Sequence, residues 1–146
     1  MKKLLFLVLL TSISFAQNVN RKYISHQWKN RILTVTTNEG NYIIKNYTDR
    51  IFETSFIPKG QKVELKSEAV VLEPSNLSSI ELKTSKNLLK ITTAKMHVEI
   101  TKNPFKIAYF YDGKELVSEK NGYVKNTDSE AIDFNLSSDE ILYGGG

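Results

Sequence analysis

Met96-His97-Val98-Glu99-Ile100-Thr101-Lys102, then Asn103-Pro104, then Phe105-Lys106-Ile107-Ala108-Tyr109-Phe110-Tyr111, then Asp112-Gly113, is the stretch that decides the fold. Met96, Val98 and Ile100 alternate with His97, Glu99 and Thr101. One face is apolar and the other polar, as a half-buried antiparallel strand requires. Asn103-Pro104 interrupts that strand, because the residue before proline is restricted and proline cannot donate to a ladder. Asp112-Gly113 supplies the positive φ angles of a tight hairpin leading to Lys114–Val117. The stretch therefore predicts three antiparallel strands in succession.

The same period of two continues outward in both directions. Ile80 and Leu82 alternate with Glu81 and Lys83, and Ile132, Phe134 and Leu136 alternate with Asp133 and Asn135. Thr37-Asn38-Glu39-Gly40 separates a strand around Leu33–Thr36 from one around Tyr42–Tyr47. Pro58 and Gly60 close a strand over Ile51–Ile57, and Pro74 closes one over Ala69–Leu72. About nine or ten short strands, with turn signals every 8–12 residues, predict an all-β chain folded as an antiparallel β-sandwich. Met96, Val98, Ile100, Phe105, Ile107, Ile132 and Phe134 are the expected core. Residues 17–30 are polar with isolated aromatics, Tyr23, His26 and Trp28, and read as an irregular lead-in. Ser137-Ser138-Asp139-Glu140 has the form of a capping box, with room for one helical turn.

Residues 1–16 read as an export signal. Lys2 and Lys3 precede the apolar run Leu4–Leu10, and Ser14 and Ala16 stand at the −3 and −1 positions of a cleavage site. The run is too short to span a bilayer core of about 30 Å. The expected location is periplasmic or extracellular, as a soluble protein. The chain of 146 residues carries 20 Lys+Arg against 16 Asp+Glu; without Lys2 and Lys3 the balance is 18 against 16. Basic residues are scattered, which argues against a nucleic-acid partner. The absence of cysteine removes disulfides and thiolate metal sites.

Few constellations carry chemistry. His26 and His97 are isolated, with His97 on the polar face of its strand, and no metal-ligand spacing occurs. No cofactor is expected. Sugar cleavage uses two carboxyl groups; Asp128/Glu130 and Asp139/Glu140 are close in sequence, but their polar surroundings mark them as solvated surface charge. Tyr109 and Tyr111 share a strand face with Phe105 and Ile107 and belong mostly to the core. Tyr123 differs. It is the sole aromatic in the polar stretch 118–129, which reads as a long loop pivoting on Gly122 and is the candidate substrate-binding residue, able to stack on a sugar ring. A tyrosine that merely pins its own loop is the competing account.

Taken in order, the strand ending Ile100-Thr101-Lys102, the break Asn103-Pro104-Phe105, the strand Lys106–Tyr111, the hairpin Asp112-Gly113-Lys114-Glu115-Leu116, then Phe134-Asn135-Leu136 and Leu142-Tyr143-Gly144-Gly145-Gly146 resemble the N-terminal, galactose-mutarotase-like β-sandwich of glycoside hydrolase family 31, the α-glucosidase and α-xylosidase group. The resemblance covers roughly residues 31–146. It implies a parent enzyme that is a retaining α-glycoside hydrolase or transglycosylase acting on an α-glucan or oligosaccharide, with the sandwich packed on a catalytic (β/α)8 barrel. The glutamate that follows the last glycine in that family does not follow Gly146, and no catalytic residue carries over, so the expectation is a sandwich cut in mid-motif and inactive alone. A free-standing carbohydrate-binding module and a surface-adhesion domain are the competing readings. Either should finish in a proper last strand, and a binding module should show several exposed aromatics on one face.

Overall fold

The computed structural model describes residues 21–62, 79–125 and 127–138. Within them lie ten strands: β1 (Tyr23–Lys29), β2 (Ile32–Thr37), β3 (Gly40–Thr48), β4 (Ile51–Pro58), β5 (Glu81–Thr84), β6 (Leu88–Thr92), β7 (Met96–Lys102), β8 (Phe105–Tyr111), β9 (Lys114–Lys125) and β10 (Glu130–Phe134). All pairings are antiparallel. β1 to β4 form a four-stranded sheet in chain order; β5 to β10 form a six-stranded sheet in the order β10-β9-β8-β7-β6-β5. The architecture is the all-β sandwich expected. The signal segment, the Ala69–Leu72 strand, the 139–140 part of the capping box and the terminal glycines lie outside the described residues.

The hairpins follow from local chemistry. Asp112 (φ 45°) and Gly113 (φ 81°) are both left-handed, the paired positive φ that matches strand twist in a two-residue turn. Gly40 is required by proximity: a Cβ there would lie 2.2 Å from the Ile57 carbonyl oxygen on β4. The core is built from the inward faces of central strands. Leu33, Val35, Tyr42 and Ile44 from the smaller sheet meet Leu89, Ile91, Val98, Ile100 and Ile107 from the larger. The alternation over 96–100 is thus correctly phased, with Met96, Val98 and Ile100 buried and His97 and Glu99 half-buried on the other face.

Four expectations are corrected. The segment 17–30 is not irregular throughout, since β1 spans Tyr23–Lys29. A bulge between Tyr23 and Ser25 shifts the phase of its pattern, and its hairpin to β2 turns through Asn30 (φ 50°) and Arg31 (φ 62°), so neither alternation nor a turn glycine advertises it. Secondly, Ile132 and Phe134 are exposed and Phe105 is half-buried against the core cluster. β10 lies at the edge of the larger sheet, where its apolar face meets no opposing strand among the described residues. Thirdly, the stretch 118–129 is not a long loop: β9 runs on to Lys125. Finally, His97 is not merely solvated, because its ring stacks on Phe110 at 4.4 Å with planes 9° apart.

Candidate functional site

β9 is long because it contains two irregularities that polar residues disguise. Tyr109 pairs with Val117 but Phe110 pairs with Glu115, leaving Leu116 unopposed. Asp133 pairs with Gly122 but Phe134 pairs with Glu119, leaving Lys120 and Asn121 unopposed. Each extra residue changes which face the next side chain takes. As a result Ser118 and Glu119, neighbours in sequence, are both buried.

Glu119 is the acidic centre of the resulting cluster. Its Oε2 accepts the Ile107 backbone N–H at 3.2 Å, and the Tyr42 hydroxyl is hydrogen-bonded to it. Burial pushes its carboxyl up to about 7; the nearby Arg21 guanidinium and these hydrogen bonds oppose the rise. Arg21 is the basic centre, with a side chain only 2% exposed. Its Nε donates to Glu39 Oε2 at 2.9 Å, one terminal nitrogen donates to the Tyr42 hydroxyl at 2.5 Å, and the other donates to the Tyr123 carbonyl. Gly122 (φ 63°) makes room: a Cβ there would sit 2.3 Å from the Arg21 guanidinium.

Aromatic rings run beside this cluster through the inter-sheet space. Tyr123 lies 4.6 Å from Phe56, Phe56 lies 4.6 Å from Tyr42, and Tyr42 lies 5.2 Å from Phe105, all tilted. Arg21 sits over Tyr42 and Phe56 at 5.5 and 5.3 Å, within cation–π range. Nearby, the Tyr109 hydroxyl donates to Thr54 Oγ1 at 2.6 Å, clasping one sheet to the other, and burial pushes that phenol up to about 12. Tyr123 is therefore a half-buried strand residue opposite Ile132, with its ring braced by Phe56.

A groove of about 400 Å³ opens beside this cluster, between β4 and the β9–β10 pair. Phe52, Thr54 and Phe56 form one wall, Leu116, Ile132 and Phe134 the other, with Tyr109 and Glu119 also lining it. Elsewhere the carboxylates show no catalytic pairing. Asp128 is exposed, Glu130 is exposed and pairs with Lys125 at 3.3 Å, and Asp139 and Glu140 lie outside the described residues. His97 Nε2 lies 3.5 Å from Glu99 Oε1, and burial, with Lys90, holds its pKa below the usual histidine value. His26 Nδ1 hydrogen-bonds the Tyr23 hydroxyl at 2.7 Å. Among the described residues no group of three or more His, Asp or Glu could hold a metal ion. Sequence reasoning missed Arg21 and Glu119, since neither stands in a motif; the one signal was Gly122, read as a loop pivot and in fact the space beneath a guanidinium.

The family model for the glycosyl hydrolase 31 N-terminal galactose mutarotase-like domain matches residues 20–146. The chain belongs to this family. Two solved structures share the fold of this glycosyl hydrolase 31 domain: a Flavobacterium johnsoniae GH31 dextranase complexed with glucose, and a mutant of the same dextranase complexed with isomaltotriose. Each is 17% identical with a TM-score of 0.72, over 83% of this chain and 16% of theirs. The chain thus spans about one sixth of the length of those enzymes. No curated protein matches the sequence. In this GH31 domain the Arg21–Tyr42–Glu119 cluster holds β9 against the smaller sheet. It encloses one carboxylate among protein donors, whereas retaining glycoside hydrolysis needs two carboxyl groups about 5–5.5 Å apart on either side of a sugar.

Proposed function

We propose that this chain is the non-catalytic N-terminal sandwich of an exported GH31 enzyme that acts on α-glucosides, with retaining hydrolysis or transglycosylation carried out in a catalytic barrel on which the sandwich packs. The observation that carries this reading is the family match over residues 20–146, together with a shared fold in a GH31 dextranase whose structures hold glucose and isomaltotriose. The polar network of the domain supports a scaffolding role: Arg21 and Glu119 spend their hydrogen bonds on Tyr42, Glu39 and main-chain groups. Export rests on the pattern of residues 1–16. Tyr123 enters the proposal as a residue at the substrate rim, supported by its half-exposed position on β9 and held in orientation by Phe56.

Assay of the 146-residue chain and of the complete gene product on an aryl α-glucoside tests this reading. Turnover is expected from the complete product alone. Turnover by the pure chain, or none by the complete product on any α-glucoside, overturns it. Tyr123→Ala in the complete product is expected to raise KM with kcat little changed. A fall in Tm with unchanged kinetics would assign Tyr123 to packing alone.

A further inference from the structure

The two sheets differ in width, and the difference is exposed on one side. Thr54 of β4 bonds Tyr109 of β8, and Phe56 of β4 packs on Tyr123 of β9. β4 therefore lies over β8 and β9, and β10 projects past it. Among the described residues β4 pairs with β3 alone and β10 with β9 alone, so the groove has an edge strand on each flank. Its outer wall is apolar and open: Leu116 is 53% exposed, Ile132 53% and Phe134 40%, with Leu136 beyond them at 56%. Ile132, Phe134 and Leu136 keep the alternation of a half-buried strand, yet the face it should bury is bare. A sheet edge next to an uncovered apolar face is a template for another strand.

We propose that an extended segment of the same polypeptide, from beyond Gly146, lies in this groove beside β4 as a further strand of the smaller sheet, with alternate apolar side chains on Leu116, Ile132 and Phe134. The inference rests on the proposed function in taking the chain as part of a longer enzyme, and it adds where that enzyme is joined to the sandwich. The occupant is chosen from three observations. The solved structures with this fold give it only 16% of their length, so much polypeptide is at hand. The chain leaves β10 at the groove itself, so a returning segment needs no crossing connection. A sugar fits the walls poorly, because a pyranose needs donors and acceptors for its hydroxyls and these walls are mostly hydrocarbon; the Glu119 carboxylate is already bonded by Ile107 and Tyr42.

The absence of cysteine makes the test direct. Ile132→Cys and, separately, Leu116→Cys are placed in the 146-residue chain and in the complete gene product, with Lys83→Cys as an exposed control on β5, and maleimide labelling rates are compared. Both groove cysteines are expected to react at least about tenfold more slowly in the complete product, with the control unchanged. Equal rates in the two forms overturn the proposal, as does a reading frame that stops after Gly146. Protection already present in the 146-residue chain, rising with concentration alongside dimer in sedimentation, assigns the groove to a second copy and also overturns it. Slowing of the chain's labelling by added isomaltotriose assigns it to a sugar instead. Activity on an aryl α-glucoside is read from the same complete product: unprotected cysteines in an active enzyme sink this inference alone, whereas protected cysteines in an inactive one sink the assigned activity.

Discussion

At the scale of single residues, the phase of β7 and the charge of Glu119 make opposite demands on the fold. Val98 is fully buried among the core residues, while Glu99 faces out beside Lys90, its Oε1 2.9 Å from Nζ. Val98→Asp is expected to unfold the domain, since an unpaired buried charge costs several kcal/mol against a total stability of about 5–15 kcal/mol. Glu99→Gln should shift the urea midpoint by no more than the ~1 kcal/mol of an exposed pair; equal effects would show the register to be wrong. Glu119 is buried yet ionisable, and this has a signature in pH. Its carboxyl titrates near 4.5 in an unfolded chain and near 7 in the folded one, chiefly because burial penalises the anion. Between these values the folded state keeps a proton that the unfolded state has released, so its contribution to stability is full below about pH 4.5 and is lost as pH rises through 7. The total change is at most ~3 kcal/mol. Glu119→Gln should remove that slope when urea unfolding is followed from pH 4 to 8. His26 and His97 work the other way, because burial lowers both and their contributions are lost as pH falls through 6.5. A slope unchanged in Glu119→Gln would assign the pH dependence to other groups.

At the scale of elements, β9 shows how one strand can carry both scaffold and surface. Its first irregularity, at Leu116, puts Glu119 on the inner face; its second, at Lys120 and Asn121, brings the Tyr123 carbonyl to Arg21. Gly122 is the hinge of the arrangement, left-handed and directly beneath the guanidinium. Gly122→Ala is expected to destabilise by about 1–3 kcal/mol, from the positive φ and the displaced Arg21 together. Asn38→Ala, by contrast, removes a single exposed turn bond to the Lys22 N–H and should cost well under half as much. Thermal unfolding of the two variants side by side checks this, and equal losses would show that Arg21 simply moves aside. β1 was illegible for a related reason: its phase shifts at a bulge, and its turn uses Asn30 and Arg31 where glycine would have announced a hairpin.

At the scale of the whole molecule, the signal segment and the sandwich have separate fates. Processing after Ala16 should leave Gln17 as the first residue, four positions before the buried Arg21. Mass spectrometry of exported protein checks this, and an intact Met1 would sink it. The all-β class, the strands from Ile32 to Thr37 and from Met96 to Tyr111, and the Asp112-Gly113 hairpin were determined by the sequence alone. Each is set by nearest-neighbour chemistry: a period of two, a proline break, a pair of residues that tolerate positive φ. The order of the Asn103-Pro104-Phe105 and Asp112-Gly113-Lys114 pieces was enough to point to the family. Tertiary structure alone decided the rest. Ile132 and Phe134 have the alternation of a buried strand, but burial depends on what lies opposite, and opposite them is open groove. Glu119 and Arg21 look like surface charge in a polar stretch, yet two bulges and a glycine turn them into the space between the sheets. A bulge inserts a residue without changing composition, so the face that a side chain takes after it is set by hydrogen bonding across the sheet, which no local pattern records.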